Sequence, residues 1–169
     1  MARLATFDPG EGPHIVPVCF VYDGCAFYTA VDRKPKRVAP ERLARVRNIQ
    51  AQPRVALLID HYDEKWSRLW YVLIRGKAQL IPTSAHAERA RALRRLRYKY
   101  PQYTRDILPD EALIIRIRPE QTMSWGKIWG GKTAFNKSAS IRQAPERMPF
   151  PKKKRSDRIG KGALAVTGA

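Results

Sequence analysis

Along its first third the chain alternates short apolar runs with dense turn chemistry, the pattern of a β-meander. Arg3–Phe7 reads as a short strand that stops at Asp8-Pro9-Gly10-Glu11-Gly12-Pro13. From His14 to Tyr22 both alternation phases are apolar: Ile15, Pro17, Cys19 and Val21 on one, Val16, Val18, Phe20 and Tyr22 on the other. Such a strand is buried on both faces, one toward a barrel interior and one under another layer or a second subunit. Asp23-Gly24 predicts a two-residue hairpin turn, with Cys25–Val31 returning as the partner strand. In that register Tyr22 faces Cys25 and Cys19 faces Tyr28, so the two cysteines are not cross-strand partners. A reducing compartment follows, and the expected location is cytoplasmic.

A charged loop, Asp32–Arg37, precedes a helix over about 40–50, where Pro40 suits the first turn and Leu43, Val46 and Ile49 form a narrow apolar stripe. Arg54–Asp60 is the next strand. Leu69–Leu80 is a long one, with Gly76 marking a bulge or barrel corner. A second helix opens after Pro82 with Thr83 or Ser84 as N-cap, and Ala90, Leu93, Leu96 and Tyr100 recur at helical spacing before Pro101. Ala112–Ile117 is the last strand. These elements give a mainly β fold, a small barrel of six antiparallel strands decorated by two helices.

Composition divides the picture at residue 129. The 169 residues carry a formal charge of +18. Residues 130–169 hold ten Lys or Arg against two acids, with no hydrophobic period, and include the run Lys152-Lys153-Lys154-Arg155. The expected organisation is therefore a cofactor-binding domain over 1–129 and a basic, flexible tail over 130–169. No run approaches the roughly 20 apolar residues that cross a bilayer, so no membrane partner is expected.

The segment Phe27 to Arg37 carries the most informative chemistry. A strand ends in Tyr28-Thr29, and its loop then offers Arg33, Lys34, Lys36 and Arg37 just before a helix start. Hydroxyls, cations and helix N–H groups are what phosphate recognition needs. The same residues also fit a solvated basic loop, and spacing alone does not separate the two. Asp60-His61-Tyr62-Asp63-Glu64 lacks a spaced second histidine, so it reads as an acidic loop and no metal is expected. No Gly-x-Ser-x-Gly, Cys-x-x-Cys or P-loop pattern is present.

That segment, with Asn48-Ile49-Gln50-Ala51-Gln52-Pro53-Arg54-Val55-Ala56-Leu57-Leu58-Ile59 and Ile74-Arg75-Gly76-Lys77-Ala78, resembles the pyridoxamine 5′-phosphate oxidase-like split-barrel family. Pro13-His14, Val16-Pro17-Val18-Cys19-Phe20, Asp60-His61-Tyr62-Asp63-Glu64 and Trp66-Ser67-Arg68-Leu69-Trp70 resemble its coenzyme F420-dependent branch, over roughly residues 2 to 118. The resemblance implies an FMN-binding-like split β-barrel, a homodimer with the cofactor between subunits, and Thr29, Arg33, Lys34 and Lys36 as phosphate ligands, with Tyr28 and Arg37 beside them. Relatives carry a helix before the first strand, and that helix is expected to be missing here. The tryptophans fall in two i,i+4 pairs, Trp66/Trp70 and Trp125/Trp129, and Trp70 is the ring expected to stack on the cofactor.

The resemblance thus implies an oxidoreductase that passes hydride from reduced coenzyme F420 to a small conjugated organic substrate. The body's excess charge, including Arg42, Arg45 and Arg47, suits the longer anionic tail of that cofactor. FMN is the alternative cofactor, and a non-catalytic cofactor binder the alternative role. A nucleic-acid-binding protein is the rival from another class; contact through the basic tail would be non-specific. No residue declares itself catalytic; His61, Tyr62 and Tyr71 are candidate proton donors.

Overall fold

The computed structural model describes residues 1–34, 39–126 and, as backbone only, 141–143. Seven strands form one path: β1 (Ala2–Asp8), β2 (Gly12–Val18), β3 (Val21–Tyr22), β4 (Phe27–Ala30), β5 (Arg54–His61), β6 (Trp70–Leu80) and β7 (Ile114–Gly126). Their order is β2-β1-β5-β6-β7-β4-β3, all antiparallel, and an eighth strand, β8 (Ile141–Gln143), pairs parallel with β7. β2 and β3 lie at opposite ends of this path yet are separated in sequence only by Cys19 and Phe20, so the sheet returns on itself as a barrel.

That closure explains why the single expected strand His14–Tyr22 is two. Its halves pair with different partners, and Phe20 between them is held by the Tyr100 hydroxyl, 3.1 Å from both its N–H and its carbonyl. The hairpin turn also differs from expectation. Tyr22 faces Phe27 and Val21 faces Tyr28, with four residues in the loop rather than two. The Asp23 carboxylate sets this loop by accepting the N–H groups of Cys25 and Ala26 at 2.9 Å each.

The barrel interior is filled by Leu4, Phe27, Leu57, Ile74, Ile115 and Ile117. Helix α1 (Ala44–Ala51) caps one end with Val46 and Ile49; a 3-10 turn, Pro40–Arg42, precedes it because Leu43 is extended. Helix α2 (His86–Lys99) packs outside the barrel through Ala92, Leu93 and Leu96 against Val21, Tyr28 and Ile114. Its N-cap is Ala85, with no side-chain cap, rather than Thr83 or Ser84. The bulge expected at Gly76 is present as a register shift between Arg75 and Gly76. A Cβ on Gly76 would lie 2.1 Å from the Arg118 carbonyl oxygen, so only glycine allows this approach. The last strand runs to Gly126 rather than to Ile117, with Pro119 placed opposite the bulge, where its missing N–H is tolerated.

Candidate functional site

Where β4 ends, backbone bonds fix the loop that follows. The Val31 N–H donates to the Leu113 carbonyl at 2.9 Å and the Arg33 N–H to the Ile107 carbonyl at 2.7 Å. These bonds hold Asp32, Arg33 and Lys34 beside the end of the barrel that α1 caps. The Arg33 guanidinium pairs with Glu111. Lys34 Nζ lies 3.0 Å from Asp32 Oδ2 and 5.8 Å from the centre of the Tyr103 ring, whose hydroxyl donates to Asp32 Oδ2 at 3.4 Å. Arg45, in the first turn of α1, is half-buried within electrostatic range of the same group: burial lowers its pKa, and Asp32 and Tyr103 oppose that shift. Burial pushes the Tyr103 hydroxyl well above its ordinary range, reinforced by Cys19 and Asp32, so it stays protonated and donates.

The loop and its surroundings thus hold three cations and two carboxylates: Lys34 and Arg45 share Asp32, and the adjacent Arg33 pairs with Glu111. The Arg33–Glu111 pair is open to water, its side chains 60% and 67% exposed, so it contributes little and can exchange for another anion. This donor set suits a phosphate group, whose oxygens accept from guanidinium and ammonium groups.

The remaining expected site residues lie elsewhere. Thr29 is buried, in register with Ile115 and facing the barrel interior. Tyr28 faces the opposite side, where its hydroxyl lies 3.0 Å from Asp23 Oδ2 and 3.1 Å from Glu88 Oε1. Burial, with those two carboxylates, raises its pKa to about 12. Trp70 opens β6, stacked on His61 at 6.1 Å between ring centres. It is ten residues from the end of β6 that borders the cation cluster, roughly 30 Å along the strand. Lys36, Arg37 and Trp129 lie outside the described residues, as does the expected tail apart from the β8 backbone. Tyr103 and Glu111 escaped the site assignment drawn from sequence, and Arg45 was expected along the cofactor's anionic tail rather than among the phosphate ligands. Helical spacing with Arg42 could have pointed to Arg45, whereas nothing local links Tyr103 or Glu111 to residues 32–34.

Trp70 belongs to a second group at the far end of the sheet. Tyr71 and Trp125 stack there at 6.3 Å, and Tyr62 and Trp66 project into solvent. His61 Nε2 lies 3.8 Å from Asp63 Oδ2, and the Tyr71 hydroxyl lies 4.0 Å from Met123 Sδ. From this group an outward face runs back across the sheet. Cross-strand partners align Pro17, Arg3, Leu58, Leu73 and Met123 in one row and Ile15, Ala5, Ala56 and Arg75 in the next. Ile15 is 61% exposed and Pro17 is exposed too, so the β2 half of one of the two apolar phases read from residues 14–22 is uncovered in the single chain, whereas Val21 in β3 is buried.

The fold and the sequence agree on a class of protein. Residues 1–126 match the family described as pyridoxamine 5′-phosphate oxidase, and the chain belongs to that family, with its split β-barrel. Among solved structures, a FAD-binding protein from Mesorhizobium loti is similar at 21% identity and a TM-score of 0.54, over 72% of this chain and 81% of that one. An F420 reductase is similar at 22% identity and a TM-score of 0.52, over 72% and 86%. The haem storage protein HutZ from Vibrio cholerae is similar at 14% identity and a TM-score of 0.57, over 75% and 84%. No curated protein matches the chain. Among the described residues, no helix is long and apolar enough to cross a membrane, and no three His, Cys, Asp or Glu side chains converge on a metal site.

Proposed function

We propose that the protein is a coenzyme F420-dependent oxidoreductase acting on a small conjugated organic substrate, with the cofactor's phosphate held by Arg33, Lys34 and Arg45. The observation that carries this is the convergence of those three cations at the end of β4 in a chain of this family. When bound, such a cofactor supplies the hydride chemistry. The chain's own part is to anchor the anionic group, orient the ring and keep water from it. The Tyr103 hydroxyl and the Arg33–Ile107 backbone bond hold the anchor in place. Arg42 in the 3-10 turn and Arg47 on α1 add positive charge that favours an anionic tail over a lone phosphate. FMN is the second reading, favoured by the small size of the described cluster, which suffices for one phosphate.

A homodimer belongs to the same proposal. A single chain separates its cations from Trp70, Tyr71 and Trp125 by most of a strand's length, whereas a second copy packed on the outward face can bring its own rings to the cofactor. Ile15, Leu58, Leu73 and Met123 give that face its apolar centre. The test is mass spectrometry of the small molecule that copurifies, followed by titration of the stripped protein with F420 and with FMN. Tighter binding of F420 supports the leading reading and tighter binding of FMN the second. No binding of either overturns both.

A further inference from the structure

On the side of the barrel away from the outward face, α2 and β3 border an open groove of about 630 Å³. Phe20 and Tyr22 line it from the barrel, and Arg94, Arg95, Tyr98 and Lys99 line it from the helix. Tyr98 is 90% exposed, a large ring with no packing role. The other cations on and around α2 are buried or paired: Arg89 is buried and donates to the Ile81, Asp110 and Ala112 carbonyls. Arg91 pairs with Asp23, Arg97 with Asp110 and Arg116 with Glu88. Arg95 instead donates to the Tyr22 carbonyl at 3.3 Å, and Lys99 to the Phe20 carbonyl at 2.9 Å while sitting 3.9 Å from the centre of the Phe20 ring. Those acceptors are neutral, and among the described residues no carboxylate pairs with Arg94, Arg95 or Lys99. Three charges therefore stand uncompensated around an aromatic groove.

We propose that this groove binds single-stranded nucleic acid, with phosphates on Arg94, Arg95 and Lys99 and a base stacked on Tyr98. Flat rings beside guanidinium and ammonium groups are the chemistry that such strands require. An acidic peptide fits less well. Strand addition to β3 needs free backbone groups, and the Phe20 N–H and carbonyl and the Tyr22 carbonyl are already bonded to Tyr100, Lys99 and Arg95. The chain's own residues 130–169 are excluded by charge, with ten Lys or Arg against two acids. Sequence alone could not show the groove, because its aromatic and cationic walls lie more than seventy residues apart. The site is independent of the cofactor proposal.

Fluorescence anisotropy of a labelled oligothymidylate of about twelve nucleotides, titrated with the full chain over a salt series, tests it. Tyr98→Ala is expected to weaken binding roughly tenfold, while Tyr98→Phe, which keeps the ring, binds like the parent. Arg94→Gln with Arg95→Gln is expected to lower the logarithmic salt slope by about 1.4. A bromouracil-substituted strand is expected to crosslink to Tyr98 or Tyr22. Unchanged affinity in Tyr98→Ala, with crosslinks confined to residues 130–169, overturns the proposal by making binding a property of the tail. Equal competition by an oligoglutamate peptide also overturns it, in favour of an acidic protein partner. These side chains are exposed, and thermal melts of each variant check that it folds.

Discussion

Arg33 holds Glu111 and Lys34 holds Asp32, so a phosphate arriving at this cluster displaces a carboxylate from each. Glu111 is then a competitor of the cofactor rather than a ligand. Glu111→Gln is expected to tighten phosphate-bearing cofactor binding by up to about fivefold, the worth of an exposed ion pair. Calorimetric titration of the variant checks this; a weaker affinity contradicts it. Tyr28 invites a different experiment. Its folded pKa of about 12 lies above the ordinary 10, so the folded state keeps a proton that the unfolded chain loses. Its contribution to stability is full below about pH 10 and falls as pH rises toward 12. Chemical denaturation across that window is expected to show the decline, and Tyr28→Phe to reduce it. The sequence marked Tyr28 by its place in a family motif. Its partners Asp23 and Glu88 come from a hairpin loop and from α2, and no local spacing announces them.

At the scale of elements, glycine and proline were informative in one strand and misleading in the next. Gly76 inside an apolar run announced a bulge, and the backbone of Arg118 fills the space where a side chain would stand. Gly76→Val is expected to cost about 1–3 kcal/mol through that clash, read from the denaturation midpoint. Gly126, at a φ of +83° with the Leu69 carbonyl oxygen 2.1 Å from any added Cβ, is expected to respond likewise to Gly126→Ala. Pro119 and its polar neighbours hid the second half of β7, because a proline in a strand ordinarily argues against one. Only the bulge in β6, a tertiary partner, makes room for it. In the same way the split of residues 14–22 follows from barrel closure, which no alternation pattern records.

For the whole molecule, the apolar pattern foretold more than one chain displays. Both phases of residues 14–22 are apolar, yet Ile15 and Pro17 face outward, Pro17 in a row that runs through Leu58, Leu73 and Met123 and Ile15 in the adjacent row with Ala5 and Ala56. The proposed homodimer would place a second copy on this face and cover that surplus. Leu73→Arg, which places a charge in the centre of the row, is expected to give a particle of one chain's mass by light scattering and to weaken cofactor binding in parallel. A dimer that persists, or a monomer with full affinity, contradicts the shared-site arrangement. The central claim rests on fewer residues and is tested most directly by equilibrium titration of F420 and FMN against the parent chain and the Arg33→Gln/Lys34→Gln/Arg45→Gln variant. Loss of at least about tenfold in affinity for the preferred cofactor, in a variant that melts like its parent, is the expected outcome. Undiminished affinity for both cofactors would contradict the placement of the phosphate at the end of β4.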